Sequence, residues 1–139
     1  MHKILIGGQA LVSLGSTRAT NDVDYLVNDE STTDVFIHHN VNEDWINANG
    51  HPFFKEIYEL EKDNIIASPQ SLLELKAFSL VQHCINRKFQ KADEAEFDMK
   101  FLCRTFNLTQ VTLVQRYITK GQFFEVTKII HKVKTENNG

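Results

Sequence analysis

Residues 4–27 read Ile4-Leu5-Ile6-Gly7-Gly8-Gln9-Ala10-Leu11-Val12-Ser13-Leu14-Gly15-Ser16-Thr17-Arg18-Ala19-Thr20-Asn21-Asp22-Val23-Asp24-Tyr25-Leu26-Val27. The apolar run Ile4 to Ile6 stops at Gly7-Gly8, and Gln9 to Leu14 suits a helix that Gly15 closes. Val23 to Val27 is a second strand, ended by Asn28-Asp29. Strand, glycine turn, short helix, strand is the opening of a small α/β sheet.

Moving outward, Val35-Phe36-Ile37 suits a short strand or the start of a helix. Phe53 to Leu60 suits either period, and Ile65-Ile66-Ala67 is strand-like after Asp63-Asn64. The texture changes at Ser68-Pro69, an N-cap followed by proline at the first helical position, from which a helix runs to about Asn86. Asp93 to Phe106, Thr109 to Thr119 and Gln122 to Val133 are further helices, the last two separated by Gly121. No internal repeat appears. The expected class is α/β (α+β) over a single domain spanning 1–139. It comprises a mixed-sheet core at 1–67, a helical bundle-like half at 68–134 packed against it, and a flexible tail at 135–139.

Composition agrees with a packed domain. The chain has 139 residues, 42% hydrophobic and 24% charged, enough for one sizeable core. Six glycines and two prolines exclude collagen and low-complexity disorder. Fifteen basic against eighteen acidic side chains give a net charge of -3, so any nucleic-acid contact has to be a local patch. Cys84 and Cys103 both lie in apolar helical patterns and are read as reduced, buried thiols. The N-terminal residues lack the apolar run of a signal peptide, and about 18 consecutive apolar residues occur nowhere; the expectation is a cytoplasmic protein with no membrane partner.

Asp22-Val23-Asp24 is the most informative tripeptide. Along a strand, carboxylates at i and i+2 project to one face about 7 Å apart, where they can close on one cation; hard oxygen donors suit Mg²⁺, which takes one or two carboxylates plus phosphates. A solvated edge strand is the plainer reading of an isolated Asp-x-Asp. What shifts it is the neighbourhood. Gly7-Gly8 offers bare backbone amides where a strand meets a helix, and Arg18 and Thr20 bring a guanidinium and a hydroxyl just ahead of the aspartates.

In the second half, Lys76 falls inside the apolar arc of its helix between Leu72, Leu73 and Leu80. Ser79 and His83 share the stripe, joined by Arg87 if the helix continues one more turn. Asp98 is likewise flanked by Ala95, Phe101 and Leu102, so the two polar intruders are expected to face one another. Two readings stand: a buried ion pair joining two helices, or a lysine that reaches substrate phosphate with Asp98 orienting it. His83 alone reads as a core histidine, and Lys91 as a solvated loop residue. His38-His39 and His51 lack the company of a zinc site. Trp45, Phe53, Phe54 and Tyr58 read as core aromatics before they read as a base-stacking surface.

These residues resemble the minimal nucleotidyltransferases of the DNA polymerase β superfamily, particularly the AbiEii-type group. The likeness rests on Gly7-Gly8-Gln-Ala10, Leu14-Gly15 and Arg18-Ala-Thr20-Asn-Asp22-Val-Asp24-Tyr-Leu. It continues through Ala67-Ser-Pro-Gln-Ser-Leu-Leu-Glu-Leu-Lys76-Ala77, Arg87, Lys91 and Phe97-Asp98-Met-Lys-Phe-Leu102. The resemblance implies an NTP as substrate and Mg²⁺ as cofactor. Asp22 and Asp24 would be the metal ligands and Gly7 and Gly8 the phosphate cradle. Arg18, Thr20, Lys76, His83, Arg87 and Asp98 would line the nucleotide site, with Lys76 counted among the catalytic residues. It also implies transfer of NMP to a hydroxyl of a macromolecule such as tRNA or protein, in a toxin–antitoxin or abortive-infection setting. The alternative is an inactive scaffold of the same fold that binds nucleotide or a partner protein. The third carboxylate usual in such enzymes has Glu56 and Glu59 as its candidates.

Overall fold

The computed structural model describes residues 1–40 and 42–138. It is a mixed α+β structure whose chain contacts divide it into two compact units, Met1–Ser71 and a second beginning at Leu72. The division falls three residues after Ser68-Pro69.

The first unit is built on four strands, β1 (Ile4–Ile6), β2 (Val23–Val27), β3 (Phe36–Asn40) and β4 (Glu43–Asn47), in the order β1-β2-β4-β3. β1 and β3 run antiparallel to their neighbours, and the central pair β2 and β4 is parallel. Helix α1 (Gly7–Ser13) packs on β1 and β2, and α2 (Pro52–Glu61) packs on β2. Between them they exclude water from Ile4, Ile6, Ala10, Leu11, Leu26, Phe53 and Ile57, all 3% exposed or less. Burying each large aliphatic or aromatic side chain contributes about 1.5–3 kcal/mol.

Local chemistry explains the punctuation. Gly15, at φ +107°, ends α1 in a left-handed turn, with Ser16 N–H donating to Leu11 O and Gly15 N–H to Val12 O at 3.0 Å each. Asn47 is buried and acts as a hub for the loop after β2: its amide donates to the carbonyls of Asp29, Thr32 and Asp34 at 3.1 Å, and its Oδ1 accepts from Asp29 N–H at 2.8 Å. Ser68 is the N-cap of the next helix, its Oγ accepting from Ser71 N–H at 3.3 Å. The buried Glu61 fixes that corner, accepting from Ser68 N–H and from both the Ser68 and Ser71 hydroxyls.

Several elements differ from the sequence reading. β4 was not anticipated, because Glu43, Asp44 and Asn47 put polar groups on both faces of a five-residue strand and mask its alternation. Residues 53–60 are helical within α2, and Ile65–Ala67 contributes only a bridge between Ile66 and Leu5, since β1 offers three residues to pair with.

From Leu72 onward the chain comprises the rest of α3 (Pro69–Ile85), then α4 (Phe89–Phe106) and α5 (Lys120–Asn138), with α4 packed on α5. Leu72, Leu73, Met99, Leu102, Val114 and Val126 are fully buried. Residues 109–119 form no α-helix. A single 3₁₀ turn at Val114–Tyr117 is held from below by the buried Glu74, whose carboxylate accepts the N–H groups of Thr112 at 2.8 Å and Val114 at 3.0 Å. Three β-branched residues among the four from 109 to 112 disfavour a helix in this lead-in. α4 begins at Phe89, four residues earlier than Asp93, and α5 runs on to Asn138 through 135–138 of the positions read as a tail, residue 139 lying outside the described residues. Cys103 is buried as expected, but Cys84 is exposed near the C-terminal end of α3, and both are free thiols. Among the described residues no helix is long and apolar enough to cross a membrane.

Candidate functional site

The glycine turn and the residues ahead of β2 converge. Gly7 adopts φ +71°, a conformation that costs other L-residues about 1–2 kcal/mol, and a Cβ there would lie 2.5 Å from Oδ2 of Asp24. Asp24, half-buried in β2 opposite Ile6, therefore lays its carboxylate in the space that the missing side chain leaves. A Cβ on Gly8 would lie 2.8 Å from a terminal nitrogen of Arg18 and 3.0 Å from Cγ2 and Oγ1 of Thr20. Gln9 ties the segment down by donating its side-chain amide to Thr20 O at 3.1 Å. Gly7, Gly8, Arg18, Thr20 and Asp24 thus share one small region, with a guanidinium, a hydroxyl and a carboxylate against bare backbone. Helix α1 is seven residues long, so its dipole is a minor part of this site, and the side chains dominate.

Asp22 lies one residue before β2 and is exposed. A carboxylate that sequence reading passed over is Asp44. The parallel pairing sets Asp24 beside Asp44 in register, so both side chains leave the same face of the sheet, on strands about 4.8 Å apart. The sequence signal for it is the pair Asn40 and Asn42, a turn-favouring type, just ahead of Glu43, and Asn42 adopts φ +70° before β4. Glu56 and Glu59, the earlier candidates for a third carboxylate, sit on α2 and not on a strand, and Glu59 is paired with Lys62 at 2.9 Å.

Among the described residues, no group of three His, Cys, Asp or Glu side chains is placed to hold a metal ion. Mg²⁺ does not need one: it takes one or two carboxylates and completes its octahedron with water and phosphate oxygens. Asp24 supplies a hard oxygen of that kind beside the glycine turn, whereas Asp22, expected on the same strand face, lies ahead of β2 and is exposed; one placed carboxylate fits Mg²⁺ carried by a nucleotide and does not fit a dedicated protein cage.

In the helical unit, Lys76 and Asp98 do face one another, Nζ to Oδ2 at 2.9 Å. Asp98 is 0% exposed. The Lys76 side chain keeps 16% of its surface. His83 is half-buried on the same helix. Its pKa lies below the ordinary value of 6.5, first because burial disfavours the cation and then because Lys91, Lys88 and Lys76 repel it, with Glu94 opposing them. Lys91, read as a loop residue, is in the first turn of α4.

Arg87 does not extend the seam as a further helical turn. α3 ends at Ile85, and Arg87 occupies the left-handed position at φ +57° that glycine usually fills, with Lys88 N–H donating to His83 O at 2.8 Å.

Of the other singled-out residues, Phe53 and Phe54 are core, and His51 caps α2 by accepting Phe53 N–H on Nδ1 at 3.1 Å. His38 stacks on Trp45, while the side chain of His39 lies outside the described residues. No known family, curated protein or solved structure matches the chain in the comparisons made.

Proposed function

We propose that this protein is a Mg²⁺-dependent nucleotidyltransferase that moves NMP from an NTP to a hydroxyl group of a macromolecule, RNA or protein. The observation that carries the proposal is the convergence of Gly7, Gly8, Arg18, Thr20 and Asp24, which combines groups for phosphate with a carboxylate for its counter-ion. Bound Mg²⁺ supplies charge neutralisation at the phosphates. The chain's own residues do the rest. Asp22 and Asp24 hold the metal–nucleotide. Arg18 forks onto phosphate oxygens, Thr20 donates its hydroxyl, and Gly7 and Gly8 let phosphate approach main-chain amides.

The acceptor oxygen bonds to the α-phosphorus as the bond to the β-phosphate oxygen breaks, releasing pyrophosphate. Asp44, beside Asp24 on the same face, is the proposed acceptor of the hydroxyl proton. In the helical unit Lys76 is the proposed phosphate ligand and Asp98 its positioning residue, with Arg87 a further cation and His83 a neutral imidazole. The compartment this chemistry draws on is an NTP-rich cytoplasm.

Asp22→Ala is the deciding variant, because Asp22 is exposed and its loss should leave the fold intact, as checked by circular dichroism. Mg²⁺-dependent NTP binding, measured by calorimetry, is expected to fall at least about tenfold, the effect of losing one charge-assisted ligand. Unchanged affinity removes the assignment. Label transfer from [α-³²P]NTP to cellular RNA or protein separates turnover from the inactive-scaffold reading, which predicts binding without transfer.

A further inference from the structure

The face of the sheet opposite Asp24 carries a second constellation. Strand register sets Leu5, Tyr25, Trp45 and His38 in one row across β1, β2, β4 and β3, and alternation turns this row away from Asp24 and Asp44. Tyr25, Trp45 and His38 are all half-buried. His38 backs the indole at 4.5 Å between ring centroids, and Trp45 Nε1–H donates to Glu43 Oε1 at 2.9 Å. The ammonium of Lys3 reaches into this frame: it lies 4.6 Å from the Tyr25 ring centroid, 5.2 Å from that of Trp45 and 3.8 Å from the same Glu43 oxygen.

We propose that Tyr25, Trp45 and Glu43 form a receptor for an alkylammonium group, of which Lys3 is the built-in occupant. Two ring faces and one carboxylate aimed at a single cation are the elements by which proteins recognise ammonium ligands. The frame does not depend on Lys3. Tyr25 and Trp45 are fixed by adjacent strands, and Glu43 is fixed by the indole N–H two residues along the same strand. Lys3 precedes β1 and can swing away without disturbing any of these groups. The site is reachable from solvent, since the Lys3 and Glu43 side chains are 38% and 34% exposed. An external ligand therefore competes with a tethered one, whose effective concentration is on the order of millimolar. Methylated ammonium ions suit it best, because the ring attraction survives methylation and their weak hydration makes them cheap to desolvate. This inference is independent of the nucleotide site and stands or falls separately from it.

Trp45 is the single tryptophan of the chain, so its emission reports on the box alone. Tetramethylammonium chloride is titrated into the full-length protein against NaCl at equal ionic strength. In Lys3→Ala, or Lys3→Gln should the alanine variant misfold, the expected result is a saturable change in Trp45 emission. Its midpoint should be about tenfold lower than in the unsubstituted chain, because the internal competitor is gone. Adding Tyr25→Leu should abolish it. The proposal is overturned by a linear response in both Lys3 variants, or by one that survives Tyr25→Leu. Quenching by a single-stranded oligonucleotide in place of the ammonium ion also overturns it and assigns the face to base stacking.

Discussion

Replacing Lys76 with Met removes the ammonium 2.9 Å from a carboxylate whose side chain is 1% exposed, while keeping an unbranched apolar stem in the helix arc. The gross attraction at that distance is about 6 kcal/mol at an effective dielectric near 20, and desolvating each ion costs several kcal/mol. The intact pair therefore adds little net stability, yet its halves are unequal. Lys76→Met takes the ammonium away from a fully buried carboxylate and is expected to lose about 3–5 kcal/mol. Asp98→Asn is expected to lose less, about 1–3 kcal/mol, because the partly exposed Lys76 can turn toward water. Lys76→Met/Asp98→Leu should return to within about 1 kcal/mol of the parent or exceed it, since apolar replacement of a buried pair is often neutral or stabilising. Urea unfolding followed by far-UV circular dichroism, with the slope m held constant, reads all three. A loss below about 1 kcal/mol for Lys76→Met refutes the reasoning, because the carboxylate would then not be relying on this ammonium. Nucleotide affinity on the same variants carries the second half of the test. A stable double variant that binds Mg²⁺–NTP as tightly as the parent makes the pair a packing device and nothing more.

Gly7→Ala should cost about 2–3 kcal/mol, from the left-handed backbone and the 2.5 Å approach to Asp24 together; a thermal-unfolding loss under about 1 kcal/mol contradicts the close approach. Gly8→Ala should leave stability within about 1 kcal/mol, because alanine is the better helix former and the obstacle at 2.8 Å is the far end of the long Arg18 side chain. It should nevertheless weaken Mg²⁺–NTP binding at least about tenfold, and unaltered affinity takes Arg18 out of the site. With Ellman's reagent, Cys84 should react in the native protein and Cys103 only in denaturant, because burial pushes the Cys103 thiol up to about 11. At pH 8 that leaves roughly one Cys103 in a thousand as thiolate, and fast labelling of both thiols rejects the packing of α4. His83 should titrate below 6.5 in NMR. Its folded-state pKa is depressed, so its contribution to stability is whole above pH 6.5 and is lost as the pH falls through the folded value, and His83→Gln should flatten that limb.

What could be read ahead of the structure was what local rules dictate. Ser68-Pro69 and Gly15 are start and stop signals with their own hydrogen bonds, and both fall where expected. Lys76 and Asp98 stood out because each interrupted an apolar arc, and two charges placed so can be buried only together. The failures share a cause, which is that a partner distant in sequence decided the outcome. Residues 109–119 look helical by apolar spacing, but Glu74, some forty positions earlier, claims two of their backbone N–H groups. Asp44 escaped notice because β4 acquires its meaning only from the parallel pairing with β2.

A similar contrast separates two acids that hold backbone from the one that holds a side-chain ammonium. Glu61 and Glu74 are as buried as Asp98, at 4%, 1% and 0% exposed. Glu61 accepts the Ser68 N–H at the start of α3, and Glu74 accepts those of Thr112 and Val114 at the 3₁₀ turn, partners that cannot leave without unfolding the element. Asp98 is joined to an ammonium on a flexible four-carbon stem, a side chain 16% exposed. Glu61→Gln and Glu74→Gln should accordingly change stability without a specific effect on nucleotide affinity. A flexible stem makes exchange of partner easier for Lys76 than for these backbone donors, which is why the phosphate role is proposed for Lys76.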